Sequence, residues 1–112
     1  MILYIVSYLK IGGYVSKIEK VLERWKTTGQ PAPKKLVIAV LDRYFPGRYK
    51  LSSGSHIVVR HPGLRGLPQF AEGRFTVAIR KGQKVKPVYL RDIVRAIEYL
   101  VERGEIKQEE VE

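Results

Sequence analysis

Residues 52–80, SSGSHIVVRHPGLRGLPQFAEGRFTVAIR, decide the fold of this chain. Two runs in this stretch, residues 56–61 and 74–80, are rich in β-branched and aromatic residues and are bounded by Ser/Gly and Pro/Gly turn signals, which is typical of strands. A third such segment, residues 48–51, comes shortly before them. Residues 64–73 are too long for a tight hairpin turn, so we expect a loop there.

The sequence shows the apolar periodicity of a helix both before and after these strands. Apolar residues recur three or four positions apart over residues 36–44 and again over residues 90–101, so each segment predicts an amphipathic helix. A further helix is expected over residues 16–27, where Ser16 and Glu19 have the spacing of a capping box. The order helix, helix, three strands, helix predicts an α+β layer fold in a single domain.

The amino-acid composition excludes several kinds of functional site. The 112 residues include no cysteine and two histidines, so disulfides and thiolate metal sites are excluded, and we expect no metal and no cofactor. The apolar run at residues 2–9 is too short to span a bilayer and is not followed by a cleavage site. We expect a buried strand or helix turn there, with a mis-assigned start codon as the alternative. The chain is therefore expected to be cytoplasmic, with no membrane partner.

Charge is concentrated in the middle of the chain. Residues 43–91 contain eleven Lys and Arg residues and a single acid, Glu72, so this segment carries a charge equal to the net charge of +10. Such a basic segment is typical of a polyanion binder, because each neutralised phosphate releases condensed counterions. A solvated basic surface without a ligand is the plainer interpretation, and it stays open at this point.

Strand parity indicates which side chains face solvent, since they alternate along a strand. Ile57 and Val59 point to one side, and His56 and Arg60 to the other. The helices must cover the apolar side, so His56 is expected on an exposed face beside a strand that carries Arg80. The segment after that strand adds three more cations, Lys81, Lys84 and Lys86.

An exposed imidazole among cations indicates RNA chemistry. The ordinary pKa of imidazole suits proton transfer near neutral pH, and RNA supplies its own nucleophile, the 2′-hydroxyl. His56 is therefore the candidate general acid/base, with a hydrogen-bonded surface histidine as the alternative. His61, next to Pro62, is expected to be structural. Gly54 permits either an unusual backbone conformation near a ligand or a simple turn.

Three stretches in this order resemble the HicA-type toxins of bacterial and archaeal toxin–antitoxin pairs. They are GSHIVVRHP at residues 54–62, FTVAI at residues 75–79 and VKPVYLRDI at residues 85–93. The resemblance covers about residues 33–100, and the combination is more specific than any of its parts.

The resemblance implies an α-β-β-β-α fold like the double-stranded-RNA-binding domain, with a three-stranded antiparallel sheet packed on helices. The N-terminal helix expected over residues 16–27 is an addition to the family pattern. The resemblance divides the chain into an N-terminal extension (1–32), a HicA-like domain (33–104) and an acidic tail (105–112). It also implies an mRNA endonuclease whose partners are mRNA and an acidic HicB-type antitoxin. We expect this nuclease to be independent of metal and to be a monomer or small homo-oligomer.

The resemblance makes His56 the catalytic residue. The expected nucleic-acid-binding residues are Gly54, Ser55, Arg60, Arg80, Lys81, Lys84 and Lys86. The family's second strand commonly ends in proline and histidine, whereas AIRK occupies residues 78–81 here. A non-catalytic RNA-binding module of the same fold is therefore the alternative function. A DNA-binding regulator is disfavoured, because no helix-turn-helix spacing is evident.

Overall fold

The computed structural model describes residues 17–52 and 54–106. The elements, in chain order, are α1 (Lys17–Trp25), β1 (Ala32–Pro33), α2 (Lys34–Tyr44), β2 (Tyr49–Ser52), β3 (His56–Arg60), two 3-10 turns (Pro62–Gly66 and Ala71–Gly73), β4 (Arg74–Ala78), β5 (Lys84–Val85) and α3 (Pro87–Glu102). The apolar run at residues 2–9, the capping residue Ser16 and residues 107–112 of the acidic tail lie outside the described residues.

The predicted α+β class is confirmed. Strands β2, β3 and β4 form an antiparallel sheet with β3 in the centre. Antiparallel pairing places each β3 residue directly opposite one residue of each neighbour, so rows of side chains cross the sheet. On the side bearing His56 these rows are Ser52–His56–Ala78, Lys50–Val58–Thr76 and the pair Arg60–Arg74.

The helices cover the other side of the sheet, as strand parity predicted. Ile57, Val59 and Val77 are fully buried. They belong to a hydrophobic cluster that also takes in the apolar faces of α1, α2 and α3, including Trp25 of α1. Because the helices bury one face only, the alternate residues of each strand are left to solvent. No helix within the described residues is both long and apolar enough to cross a membrane.

A second, two-stranded sheet was not predicted. Ala32 pairs with Val85 and Pro33 pairs with Lys84, which joins β1 to β5. Lys84 starts β5 and also bridges back to Arg80, so residues 81–83 form the turn between them. A strand of two residues is too short to show any periodicity, and its pairing is set by contacts that are distant in sequence.

The segment between β3 and β4 is more ordered than a plain loop. Its two 3-10 turns bury Leu64 and Phe70 against the core, and the Phe70 ring lies 4.9 Å from that of Phe75. Gly73 closes the segment with a φ of +76°, and a Cβ there would lie 2.6 Å from the His61 carbonyl oxygen. Only glycine fits that position, so the connection fixes where β4 begins.

Candidate nucleic-acid interface

The side chains that the sheet directs away from the helices form a continuous surface, which we call the open face. It consists of Lys50, Ser52, His56, Val58, Arg60, Arg74, Thr76 and Ala78. Its permanently charged groups, Lys50, Arg60 and Arg74, are all cations and all exposed. This surface therefore combines an imidazole with positive charge, and no acid accompanies them among its described residues.

His56 lies at the start of β3 and is exposed, as predicted. Its Nδ1 atom lies 3.2 Å from the hydroxyl oxygen of Ser55. The carbonyl of Ser55 accepts a 2.8 Å hydrogen bond from the backbone N–H of Ile79, so Ser55 is itself tied to the chain beyond β4. When Nδ1 is protonated, its N–H donates a hydrogen bond to the hydroxyl oxygen of Ser55. The other ring nitrogen, Nε2, then has a lone pair that can accept a proton.

Gly54 lies in the turn between β2 and β3 and has a φ of +74°. That conformation is left-handed and favours glycine. A Cβ at this position would meet nothing within 4 Å, so the φ angle and not a crowded backbone accounts for the residue. The turn interpretation is sufficient for Gly54, and its contact with nucleic acid stays a prediction.

Four of the predicted binding residues lie together at one end of the open face. A groove of about 430 Å³ is lined by Arg80, Lys81, Lys84 and Lys86 together with Pro31 and Pro87. Ala78 lies directly opposite His56, and Arg80 follows two residues later. This groove, which we call the lysine groove, therefore lies beyond the end of the sheet at which His56 is placed.

Arg60 lies elsewhere. It is the last residue of β3, four positions after His56, which corresponds to about 13 Å along a strand. Arg74 is directly opposite it on β4, and the backbone N–H of Arg60 donates a 2.9 Å hydrogen bond to the carbonyl of Arg48. Arginines from three adjacent segments therefore meet at the far end of the open face.

A depression of about 730 Å³ lies at this far end, and we call it the arginine pocket. It is lined by Arg48, Arg60, His61, Pro62, Arg65 and Glu72. A second groove of about 470 Å³ adjoins it and shares Arg48 and Arg60, with Lys50 on its wall. Of these cations only Arg60 was predicted as a site residue. The charge count in residues 43–91 included the others, but strand register and the two 3-10 turns were needed to show that they converge.

His61 has the structural role that was predicted. It is buried, its Nδ1 accepts a 3.0 Å hydrogen bond from the backbone N–H of Gly63, and its ring packs edge-on against Phe45 at 6.3 Å. Burial, and secondarily the positive charge of Arg48, lower the pKa of His61. It therefore stays neutral near pH 7 and caps the first 3-10 turn. Its role differs from that of His56.

Within residues 17–52 and 54–106, no three His, Asp or Glu side chains converge as ligands of a metal ion would. Neither the known family models, nor the curated proteins, nor the solved structures include a significant match to this chain.

Proposed function

We propose that this protein binds RNA along the open face and cleaves it at His56 without a metal ion, as a HicA-like endoribonuclease built on a fold like the double-stranded-RNA-binding domain. One observation carries the proposal: an exposed imidazole, held by a neighbouring hydroxyl, lies on a sheet face whose charged groups are all cations. Phosphate binding requires the cations, and transfer of the 2′-hydroxyl proton requires the imidazole.

The reaction follows from what these groups can do. Nε2 of His56 accepts the proton of the ribose 2′-hydroxyl while that oxygen attacks the adjacent phosphorus. The bond from phosphorus to the 5′-oxygen breaks, and the leaving oxygen takes a proton from water. The products are a strand with a 2′,3′-cyclic phosphate and a strand with a 5′-hydroxyl. His56 then returns its proton to solvent.

The neighbouring groups have separate tasks. Lys50 is a diagonal neighbour of His56, at about 7–8 Å. Arg80 comes two residues after Ala78, which is directly opposite His56, so a phosphate bound at His56 gains positive charge from two sides. Extra negative charge develops on that phosphate during attack, and cations already in place stabilise it. Ser55 is a positioning residue, because its hydrogen bond holds the ring nitrogen that does not react.

A non-catalytic RNA-binding module is the second candidate, and a specific observation favours it. Residues 78–81, where the resembling family commonly has proline and histidine, contain no histidine, and the open face has one imidazole with no second acid or base beside it. Binding requires only the cations. Cleavage requires that His56 act with solvent as the source of the second proton.

Cleavage by purified protein separates the two candidates. We expect the wild type to cleave single-stranded RNA in the presence of EDTA and His56→Ala to lose about 100-fold or more of that activity, with a nearly unchanged melting temperature because the side chain is exposed. Ser55→Ala should lose less activity, and it serves as the positioning control. Full cleavage by His56→Ala would contradict the assignment. RNA binding without cleavage by the wild type would support the binding module.

An acidic protein partner is the remaining part of the proposal. A nuclease with this much positive charge needs a partner that covers it, and acidic proteins associate rapidly with basic surfaces. We expect an acidic HicB-type antitoxin to cover His56, Arg60 and Arg80 and to compete with RNA. Competition is measured by displacement of a fluorescent oligonucleotide by the product of the adjacent gene. A partner that binds while leaving RNA affinity intact would contradict this part.

A further inference from the structure

The arginine pocket contains more positive charge than the fold requires. Arg60 and Arg74 are direct cross-strand partners, and like charges in that relationship destabilise a sheet. Arg48 joins the same row through the backbone hydrogen bond to Arg60. Arg65 lies on the wall of the pocket beside Arg48 and Arg60. Glu72 is the acidic residue on that wall, so the described lining residues leave an excess of positive charge.

The described residues do not offset this charge by pairing. Across residues 17–52 and 54–106, none of the four guanidinium groups, those of Arg48, Arg60, Arg65 and Arg74, forms an ion pair with a carboxylate. His61, which also lines the pocket, cannot supply negative charge, and burial lowers its pKa so that it adds no positive charge near pH 7. An arginine cluster of this kind suits an oxyanion, because guanidinium donors match phosphate geometry.

We propose that the arginine pocket is a phosphate-binding site, separate from the site at His56, which holds a second phosphate group of the bound RNA strand. Arg48 and Arg60 donate to the phosphate oxygens, Arg65 closes the site from the first 3-10 turn, and Arg74 adds charge from the neighbouring strand. The identity of the ligand as RNA rests on the proposed function. The capacity to bind phosphate rests on the pocket alone.

The distance between the two sites assigns them different tasks. Arg60 and His56 are about 13 Å apart along β3, so the two sites suit different phosphate groups of one strand. A strand held in the arginine pocket must therefore follow β3 to reach His56, which fixes its direction on the open face and the position of the bond that is cut. Either an internal phosphodiester or a terminal phosphate monoester can supply the group, and the monoester carries the greater charge.

The first test uses inorganic phosphate and the full chain. Melting temperatures are compared in sodium phosphate and in sodium chloride at equal ionic strength and pH. We expect phosphate to raise the melting temperature of the wild type by a few degrees, because a ligand of the folded state stabilises it. The double variant Arg48→Gln/Arg60→Gln should lose this response. Its matched control, Lys20→Gln/Arg24→Gln on the exposed side of α1, removes the same charge away from the proposed interface and should keep it.

An equal phosphate response in all three proteins would overturn the site. Should the double variant prove too unstable to measure, Arg65→Gln, an exposed residue of a turn, gives the same comparison with a partial loss expected.

The second test identifies the source of the phosphate with 2′-O-methyl oligonucleotides, which lack the attacking hydroxyl. Affinities are compared for 5′-phosphorylated and 5′-hydroxyl versions. If the double variant loses affinity only for the phosphorylated version, the site takes a terminal phosphate; if it loses affinity for both alike, the site takes an internal one. Unchanged affinity for both would overturn the RNA assignment. A specific phosphate response in a protein that binds no RNA would contradict the proposed function and leave the phosphate site standing.

Discussion

The two faces of the β2–β3–β4 sheet are formed by the same strands and have opposite properties. The covered face holds Ile57 and Val77, fully buried in the common core. The open face holds His56, Arg60 and Arg74, all exposed and without an acidic residue among their neighbours on the sheet. Alternation along β3 places one residue of each kind next to the other. Folding therefore depends on one face, and the proposed chemistry depends on the other.

Because of this difference, substitutions on the two faces can separate stability from function. A residue of the covered face contributes apolar burial, and its removal leaves a cavity. A residue of the open face contributes charge, which the folded protein has to tolerate when no ligand is bound. Changes on the covered face should therefore weaken folding, whereas changes on the open face should weaken RNA binding and in some cases strengthen folding.

The largest change in the free energy of unfolding is expected from a substitution on the covered face. Ile57→Ala should lower the free energy of unfolding by about 2–5 kcal/mol, because it removes a fully buried side chain and leaves a cavity. Val58→Ala, one residue further along and half-buried on the open face, is the matched control and should lower it by less. Both are measured by urea denaturation monitored by circular dichroism. Equal losses for the two variants would mean that the open face is covered in solution.

Replacing one arginine of the cross-strand pair Arg60–Arg74 should have a smaller effect on the free energy of unfolding, and of opposite sign. Arg74→Thr should raise the free energy of unfolding by about 0.2–1 kcal/mol at low salt, because it removes a like charge opposite Arg60 and supplies a residue suited to strands. The gain should shrink as salt screens the repulsion. Melting curves at low and high ionic strength test this. A loss of stability at low salt would show that Arg74 has a structural partner.

The smallest effect on stability is expected from the protonation of the buried His61. Burial and the charge of Arg48 lower the pKa of His61 below its ordinary value of 6.5, so the unfolded chain takes up this proton first as the pH falls. The stability from neutral His61 is fully present above pH 6.5 and is lost as the pH falls through 6.5 towards the lowered value.

The matched variant for this effect is His61→Asn, whose side-chain oxygen can still accept from the N–H of Gly63 and cap the turn. Its stability, measured by urea denaturation between pH 5.5 and 7.5, should depend less on pH than that of the wild type. His56→Asn is the control and should keep the wild-type dependence on pH that His61 causes. An unchanged slope in His61→Asn would contradict the structural account of this residue.

The sequence predicted the main elements because their patterns are local. The apolar stripe of residues 36–44 and the alternation through Ile57 and Val59 are properties of short windows, and α2 and β3 followed. The same parity placed His56 on the exposed side. The β1–β5 pairing was missed, since two-residue strands have no period and depend on contacts between residues 32–33 and 84–85.

The candidate site was predicted only in part. Lys84 and Lys86 were found because they are close in sequence to Arg80 and to the start of α3. The arginine pocket was not found, because Arg48, Arg60 and Arg65 come from three different segments. Strand register brings the first two together, and the 3-10 turns that end at Gly73 bring in the third. Such convergence depends on tertiary structure, and no spacing in the sequence shows it.

A single charge variant in the middle of the open face tests whether this face is the RNA-binding surface. Thr76→Glu places a carboxylate in the central row, beside Val58, while Ala39→Glu adds the same charge to the exposed surface of α2. Binding of a 2′-O-methyl oligonucleotide is measured by fluorescence anisotropy at fixed salt. We expect Thr76→Glu to weaken binding at least tenfold and Ala39→Glu to weaken it less than threefold, with both melting near the wild type. Equal weakening by the two variants, or none by Thr76→Glu, would contradict the claim that the open face is the RNA-binding surface.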